Sequence, residues 1–127
     1  MKAPFLTASK IHLVIAALMG LLGIIFLAMA AHTSGATSLQ TSGQFLLFHA
    51  PVIMAVTALR RLELMPMRWG ANAVSVLILG VTLFCGDLAL RALSGISLFP
   101  MAAPIGGGLI MLGWLGIAIC AFVSKNG

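Results

Sequence analysis

Charged side chains are scarce in this chain, and their scarcity excludes a soluble globular domain. Only 7% of the residues are charged and 61% are hydrophobic, whereas soluble domains carry about 25% charged residues. The acidic residues number only two, Glu63 and Asp87, against seven Lys and Arg. Most charges stand at the ends of apolar runs, so the composition predicts an integral membrane protein without a soluble domain that could hold a separate activity.

Sequence patterns of catalysis and metal binding are also lacking. No strand is predicted that could precede a phosphate-binding glycine loop, and Ser75, Ser94 and Cys85 have no base nearby in the sequence. His32 and His49 lie 17 positions apart and lack the short spacing typical of metal ligands on one helix. The basic residues form no patch interleaved with aromatic side chains, as nucleic-acid surfaces do. We therefore expect no enzymatic activity, no metal or other cofactor and no nucleic-acid partner.

Four apolar runs are each long enough to cross a hydrocarbon core, which takes about 20 helical residues. They cover residues 11–31, 44–62, 69–93 and 101–123. The connections between them are short, which makes consecutive helices antiparallel neighbours. The sequence therefore predicts one all-α domain over residues 1–127, an integral-membrane four-helix antiparallel bundle. Cys85 and Cys120 then lie near opposite faces of the membrane, too far apart for a disulfide.

The basic residues predict the orientation of this bundle, because Lys and Arg in short loops mark the cytoplasmic side. Six of the seven fall at one end of the predicted helices: Lys2, Lys10, Arg60, Arg61, Arg68 and Lys125. Both termini are therefore expected to be cytoplasmic, with the basic residues near lipid headgroups. The first run also resembles a signal peptide that ends in Ala28-Met29-Ala30, but it is longer than the usual apolar region of about 7–15 residues. That length favours a membrane helix.

Polar side chains are predicted to gather in one layer near the non-cytoplasmic ends of the helices. The layer contains His32, Gln44, His49, Asp87 and Arg91. Asp87 and Arg91 are four residues apart and can form an ion pair along one helix. One interpretation is a structural network, with Arg91 reaching the headgroups. A second is a site for a quinone-like carbonyl, a lipid headgroup or a proton. A third is a metal or haem site that uses the two histidines.

Small residues predict where the helices approach closely in lipid. Two stripes have the required spacing: Ala16, Gly20 and Gly23 on the first helix, and Gly113, Gly116 and Cys120 on the fourth. We expect both stripes to serve packing within the bundle rather than a dimer contact. The three glycines from Gly106 to Gly108 follow Pro104 and weaken the start of a helix. They indicate either a tight helix crossing or an irregular backbone beside a polar site.

Several short motifs resemble a known family. They are Ala31-His32, Phe48-His49-Ala50, Phe84-Cys85-Gly86-Asp87-Leu88, Ala103-Pro104-Ile105-Gly106-Gly107 and Gly113-Trp114. Together they resemble, over nearly the whole chain, the small membrane proteins of domain of unknown function 423, which include the mitochondrial transmembrane protein 256. The resemblance implies a four-helix inner-membrane protein of bacterial or mitochondrial type and no established activity. The motif residues it implies are His32, His49, Gly86, Pro104, Gly106, Gly107, Gly113 and Trp114.

The chain departs from the family pattern at three positions. Leu46 stands where many relatives carry another histidine, which weakens a metal or haem proposal. Asp87 stands where a small hydroxyl residue is common, and Pro51 interrupts the usual apolar run. We expect a non-enzymatic protein of the bacterial cytoplasmic membrane that contacts the lipid bilayer and acts as an accessory subunit of a larger membrane complex. The alternative is a protein that binds or translocates a small molecule, a quinone, a lipid or a proton in the polar layer.

Overall fold

The four apolar runs form four long helices. The computed structural model describes residues 2–34 and 36–124, with side chains from residue 7 onward. The helices are α1 (Lys2–Ala31), α2 (Thr37–Arg61), α3 (Met67–Ser94) and α4 (Ala102–Phe122). Each contains a stretch long and apolar enough to span a membrane, and the described ranges contain no strand. The predicted all-α membrane architecture is confirmed.

Two helices begin earlier than the hydropathy predicts. α1 starts at Lys2 rather than near residue 11, and α2 starts at Thr37 rather than residue 44. The first turns of α2 are polar in sequence, but Leu39, Ser42 and Gly43 in them are buried. Ser42 is fully buried and its hydroxyl donates to the Cys85 carbonyl oxygen at 2.9 Å. The hydrogen bond to the neighbouring helix removes the cost of burying an unpaired hydroxyl, and hydropathy alone cannot register that bond.

The helices are arranged as a row with two central and two flanking members. α1 packs mainly against α2, α2 packs against α3, and α4 packs mainly against α3. α1 makes a minor contact with α3, and α1 and α4 share no extended contact within the described residues. α2 and α3 are therefore the most buried helices, while α1 and α4 leave most of their surface exposed.

The core lies between these helices and is made of aliphatic side chains and small residues. Fully buried members include Ala16 on α1, Ile53 on α2, and Val74, Leu77 and Val81 on α3. Both small-residue stripes face this interior, as the sequence predicts. A methyl group on Gly23 would lie 2.9 Å from the Gly43 carbonyl oxygen, for example. Backbones can approach so closely only where side chains are missing, which is how helices gain contact in lipid.

One end of the bundle collects the start of α1, the α2–α3 loop and the end of α4. The Ser124 hydroxyl donates to the Leu64 carbonyl oxygen at 2.7 Å and joins the last two of these segments. This end carries the exposed residues Arg61 and Arg68, so it is the end predicted to be cytoplasmic. Lys125 lies outside the described residues. The orientation of the termini stays a prediction.

Candidate functional site

Asp87 is a fully buried carboxylate that bonds to its own helix and to the α3–α4 loop. Its Oδ2 atom lies 2.9 Å from Arg91 Nε, in the ion pair that the spacing of four residues predicts. Oδ2 has no hydrogen-bond partner of suitable geometry, so the charge of Arg91 is what stabilises it. The Oδ1 atom accepts a hydrogen bond from the Leu98 backbone N–H at 2.9 Å.

The geometry around Asp87 fixes the loop between residues 95 and 101. Gly86 lies against the same loop residue, since a methyl group there would meet Leu98 at 3.5 Å. The loop starts with Gly95 in the left-handed region at φ 74° and ends with Met101 at φ 70°. The Arg91 side chain is half exposed and carries its charge toward the surface. The pair therefore anchors a tight turn, and both of its charges are already in use.

His49 is buried and uses both ring nitrogens within the protein. Its Nδ1 atom lies 2.7 Å from the Phe45 carbonyl oxygen, and its Nε2 atom accepts a hydrogen bond from Trp114 Nε1 at 3.2 Å. A carbonyl can only accept and an indole N–H can only donate, so the ring is neutral with its proton on Nδ1. The histidine thus links α2 to α4, two helices that share little other contact, and neither nitrogen faces a free space.

The predicted single polar layer is wrong. Because α2 starts at Thr37, His49 lies about 18 Å along that helix, near its middle. Asp87 lies only about 10 Å from the outer end of α3. His32 and Gln44 are exposed and make no described contact with either group. The structure therefore contains an Asp87–Arg91 pair and a separate His49–Trp114 pair at a different depth.

Gly106, the first of the three glycines near the start of α4, forms a tight helix crossing rather than part of an irregular polar site. A methyl group on Gly106 would lie 2.5 Å from the Phe84 backbone nitrogen and 2.9 Å from the Gly80 carbonyl oxygen. Gly113 lies similarly close to Leu77, whereas Gly107 would only just touch the Phe84 ring. Pro104 stands in the first turn of α4, where a missing N–H breaks no helical hydrogen bond. These motif residues position α4 on α3.

The most unusual group in the structure is Arg60, which is completely buried. Its Nη1 atom donates to His12 Nδ1 at 3.1 Å and its Nη2 atom donates to the Ser9 hydroxyl at 3.2 Å. Its Nε atom has no hydrogen-bond partner, and no carboxylate among the described residues lies within 4 Å. Gly70 makes room for the side chain, since a methyl group there would lie 2.7 Å from Arg60 Cδ.

The sequence prediction missed this inner cluster because it treated Arg60 as a charge in a loop. Ser9 and His12 are three residues apart, on one face of α1, and α1 and α2 are antiparallel neighbours. The start of α1 and the end of α2 therefore meet at one depth, where the described side chains offer Arg60 hydroxyl and imidazole acceptors. That combination could have indicated burial. The carbonyl groups in the last turn of α2 also favour a cation there.

His12 completes a hydrogen-bonded chain across three helices by reaching Ser75 on α3, with 3.2 Å between His12 Nε2 and the Ser75 hydroxyl. This places an imidazole beside a serine that appeared to have no base. Arginine only donates, so Nδ1 of His12 must accept and Nε2 must carry the proton. The imidazole therefore offers the hydroxyl a proton instead of a lone pair, the reverse of what activates a serine nucleophile.

The fold and these clusters define a class of protein: a small multi-pass membrane protein whose described residues lie almost entirely in its helices. The family described as "Protein of unknown function (DUF423)" matches residues 26–107. A UPF0382 membrane protein of Haemophilus influenzae is 28% identical over 91% of this chain and 96% of its own length. The chain belongs to the DUF423 family, as its motifs predict.

The relatives also give the membrane in which the protein lies. The UPF0382 inner membrane protein YgdD of Escherichia coli K12 is 32% identical over 84% of this chain and 85% of its own length. Together with four candidate membrane spans, this makes the chain a protein of the bacterial inner membrane. No solved structure matches the chain.

Proposed function

We propose that the protein is a non-catalytic accessory subunit that holds other proteins of the inner membrane through its flanking helices. The observation that carries this proposal is the open row of helices. α1 and α4 each pack on one side only, and they do not cover one another within the described residues. The described residues form no domain outside the helices, so these flanks are the surfaces through which the chain can act.

The flanks are extensive and apolar. On α1, Leu18 is 53% exposed and Ile24 is 61% exposed; on α4, Met111 is 70% exposed and Leu115 is 57% exposed. Lipid tails and apolar side chains of another helix solvate such surfaces about equally, so association there depends on close packing. A flank helix with a free side is open to contact with a second protein.

The interior supports a non-catalytic role. The carboxylate of Asp87 and both nitrogens of His49 are bonded to groups of the same chain. The Ser75 hydroxyl faces the protonated nitrogen of His12. A ligand or proton site built on any of these groups would need that group to exchange its partner. The proposed subunit role needs no such change.

Purification from native membranes in a mild detergent, followed by mass spectrometry of proteins and small molecules, tests the proposal. We expect a membrane protein to co-purify in a fixed ratio. Leu18→Trp alters the α1 flank and Leu115→Trp alters the α4 flank, and one of the two should lose the partner. Leu79→Trp on α3, where the side chain is 52% exposed, is the matched control and should keep it.

The same measurement distinguishes the alternative function. Purification without a protein partner, with a small molecule that His49→Ala loses, would overturn the subunit proposal in favour of a ligand site. Loss of the partner by all three tryptophan variants, including Leu79→Trp, would also count against it, since the contact would not follow either flank.

A further inference from the structure

A groove between α3 and α4 opens on the lipid-facing side of the bundle. It has a volume of about 610 Å³, within the range of about 300–1,000 Å³ that ligand pockets occupy. Its floor contains Ala73 and Gly116, and its walls include Val76, Leu112 and Ile119. The small floor residues leave a channel between larger aliphatic side chains.

The groove has a length comparable with the depth of one membrane leaflet. It extends on α3 from Trp69 to Val76, about 10 Å, and on α4 from Leu109 to Val123, about 21 Å at 1.5 Å per residue. Half of a hydrocarbon core is about 15 Å thick. Its lower end lies beside Trp69, three residues into α3 and 66% exposed, at the same end as the basic residues. Tryptophan favours this interfacial level.

One polar side chain lines this apolar groove. Asn72 is exposed in it, about 8 Å from the start of α3, and its amide makes no hydrogen bond within the described residues. An amide without a hydrogen bond is costly at the edge of the hydrocarbon region. Arg68 is exposed one helical turn closer to the basic end, on the same face of α3 but beyond the residues that line the groove. A cation therefore lies one turn above the amide, and the apolar channel lies below it.

We propose that this groove binds one anionic phospholipid of the basic-end leaflet. Its phosphate lies by Arg68, an ester oxygen of its glycerol backbone accepts from the Asn72 amide, and one acyl chain fills the channel past Val76. The order of cationic, amide and apolar groups with depth matches the order of groups along a phospholipid. The groove shares α4 with the proposed subunit contact but not Met111 or Leu115, and its test measures lipid retention rather than a protein partner, so either proposal can fail alone.

A second copy of this chain fits the groove less well. The chain has only two acidic residues, Glu63 and Asp87. Asp87 is buried and paired with Arg91, and Glu63 lies in the α2–α3 loop of the same basic end. A neighbouring copy would therefore bring few negative charges to Arg68, whereas anionic lipids carry one on every headgroup. The charge of Arg68 favours lipid.

Native mass spectrometry of the purified protein with added phosphatidylglycerol or phosphatidylcholine tests the site. We expect the wild-type protein to retain phosphatidylglycerol in preference to phosphatidylcholine. Arg68→Gln should reduce that preference about fivefold, since a basic residue near an anionic surface contributes about 1 kcal/mol. Asn72→Ala should weaken the binding of both lipids about two- to tenfold, which is the equivalent of one hydrogen bond.

Two groove-filling variants from opposite walls, Val76→Phe and Ile119→Trp, should each abolish retention of both lipids. Leu79→Phe, outside the groove on α3, is the matched control and should bind like the wild type. Circular-dichroism melting identifies any variant that fails to fold. Lipid retention is then judged from the variant on the opposite wall. Equal retention by wild type and all folded variants would overturn the proposal. The proposal would also be overturned if the same spectra showed dimers that dissociate in the groove-filling variants while lipid retention stays unchanged.

Discussion

The α3–α4 crossing offers a sharp test, because two glycines two residues apart are predicted to respond in opposite directions. Gly106 faces α3, and a methyl group there would lie 2.5 Å from the Phe84 backbone nitrogen. A methyl group on Gly108 would meet nothing within 4 Å. Both residues are helical. Alanine gains about 0.8–1.0 kcal/mol over glycine in a helix, so any difference between the two variants measures the crossing.

The cost at Gly106 follows from the distance that the helices must move. The contact reaches the ordinary range of 3.4 Å only if α3 and α4 separate locally by about 0.9 Å. A gap of this size forfeits about a quarter to a half of each atom-pair attraction, and a buried leucine makes about 40–60 such pairs at about 0.1–0.2 kcal/mol each. If about 40 atom pairs lose this share of their attraction, the total loss is about 1–4 kcal/mol, in line with measured costs of overpacking.

Subtracting the gain in helix propensity, Gly106→Ala should destabilise the protein by up to about 3 kcal/mol, whereas Gly108→Ala should stabilise it by up to about 1 kcal/mol. Reversible unfolding in mixed detergent micelles, followed by circular dichroism, measures both changes. Gly80→Ala, on the other side of the same crossing, should resemble Gly106→Ala. If Gly106→Ala proved as stable as Gly108→Ala, the close approach of the two backbones would be refuted.

Three further predictions use the same unfolding assay. Arg91→Gln should cost about 3 kcal/mol because it strands a buried carboxylate, whereas Asp87→Asn should cost about 1 kcal/mol and the double variant should match Asp87→Asn. Arg60→Ala should cost about 3 kcal/mol through the cavity and the lost donor to the histidine, and Arg60→Met, which keeps the volume, should lose less than half of that. His49→Ala and Trp114→Phe should be coupled by about 0.6 kcal/mol, a typical hydrogen bond between membrane helices.

Each of these has a result that contradicts it. Full additivity of Asp87→Asn and Arg91→Gln would mean that the two charges do not interact in the folded protein. Equal losses for Arg60→Ala and Arg60→Met would show that the charge, and not the packed stem, stabilises the inner cluster. Additive effects at His49 and Trp114 would remove the link between α2 and α4.

The sequence was sufficient to predict the helices and the contacts that lie within one helix. α3 and α4 end within two residues of the predicted limits, because their flanking residues are polar or helix-breaking. The Asp87–Arg91 pair follows from helical geometry alone. Local spacing determines both results, so no knowledge of the tertiary structure was needed.

Contacts between helices were harder to predict, for physical reasons. His49 and Trp114 lie 65 positions apart, and their pairing depends on how α2 and α4 rotate about their axes. The early start of α2 depends on the Ser42 hydroxyl finding a carbonyl on α3. Arg60 carries a charge of the kind usually found in loops, but its surroundings are those of a core residue. In each case the polarity of the side chain indicates exposure, but a hydrogen bond to another helix allows it to be buried.

The burial of Arg60 has a consequence for how the chain assembles. Both acceptors of its guanidinium within the described residues belong to α1, so α1 supplies polar contacts that α2 lacks. We expect the first two helices to enter the bilayer as one hairpin, with Arg60 becoming buried between them as they meet. A chain lacking residues 2–31 should leave α2 poorly inserted, and Arg60→Leu should restore its insertion. Protease protection of α2 in membrane vesicles measures this, and normal insertion of the shortened chain would rule out hairpin entry.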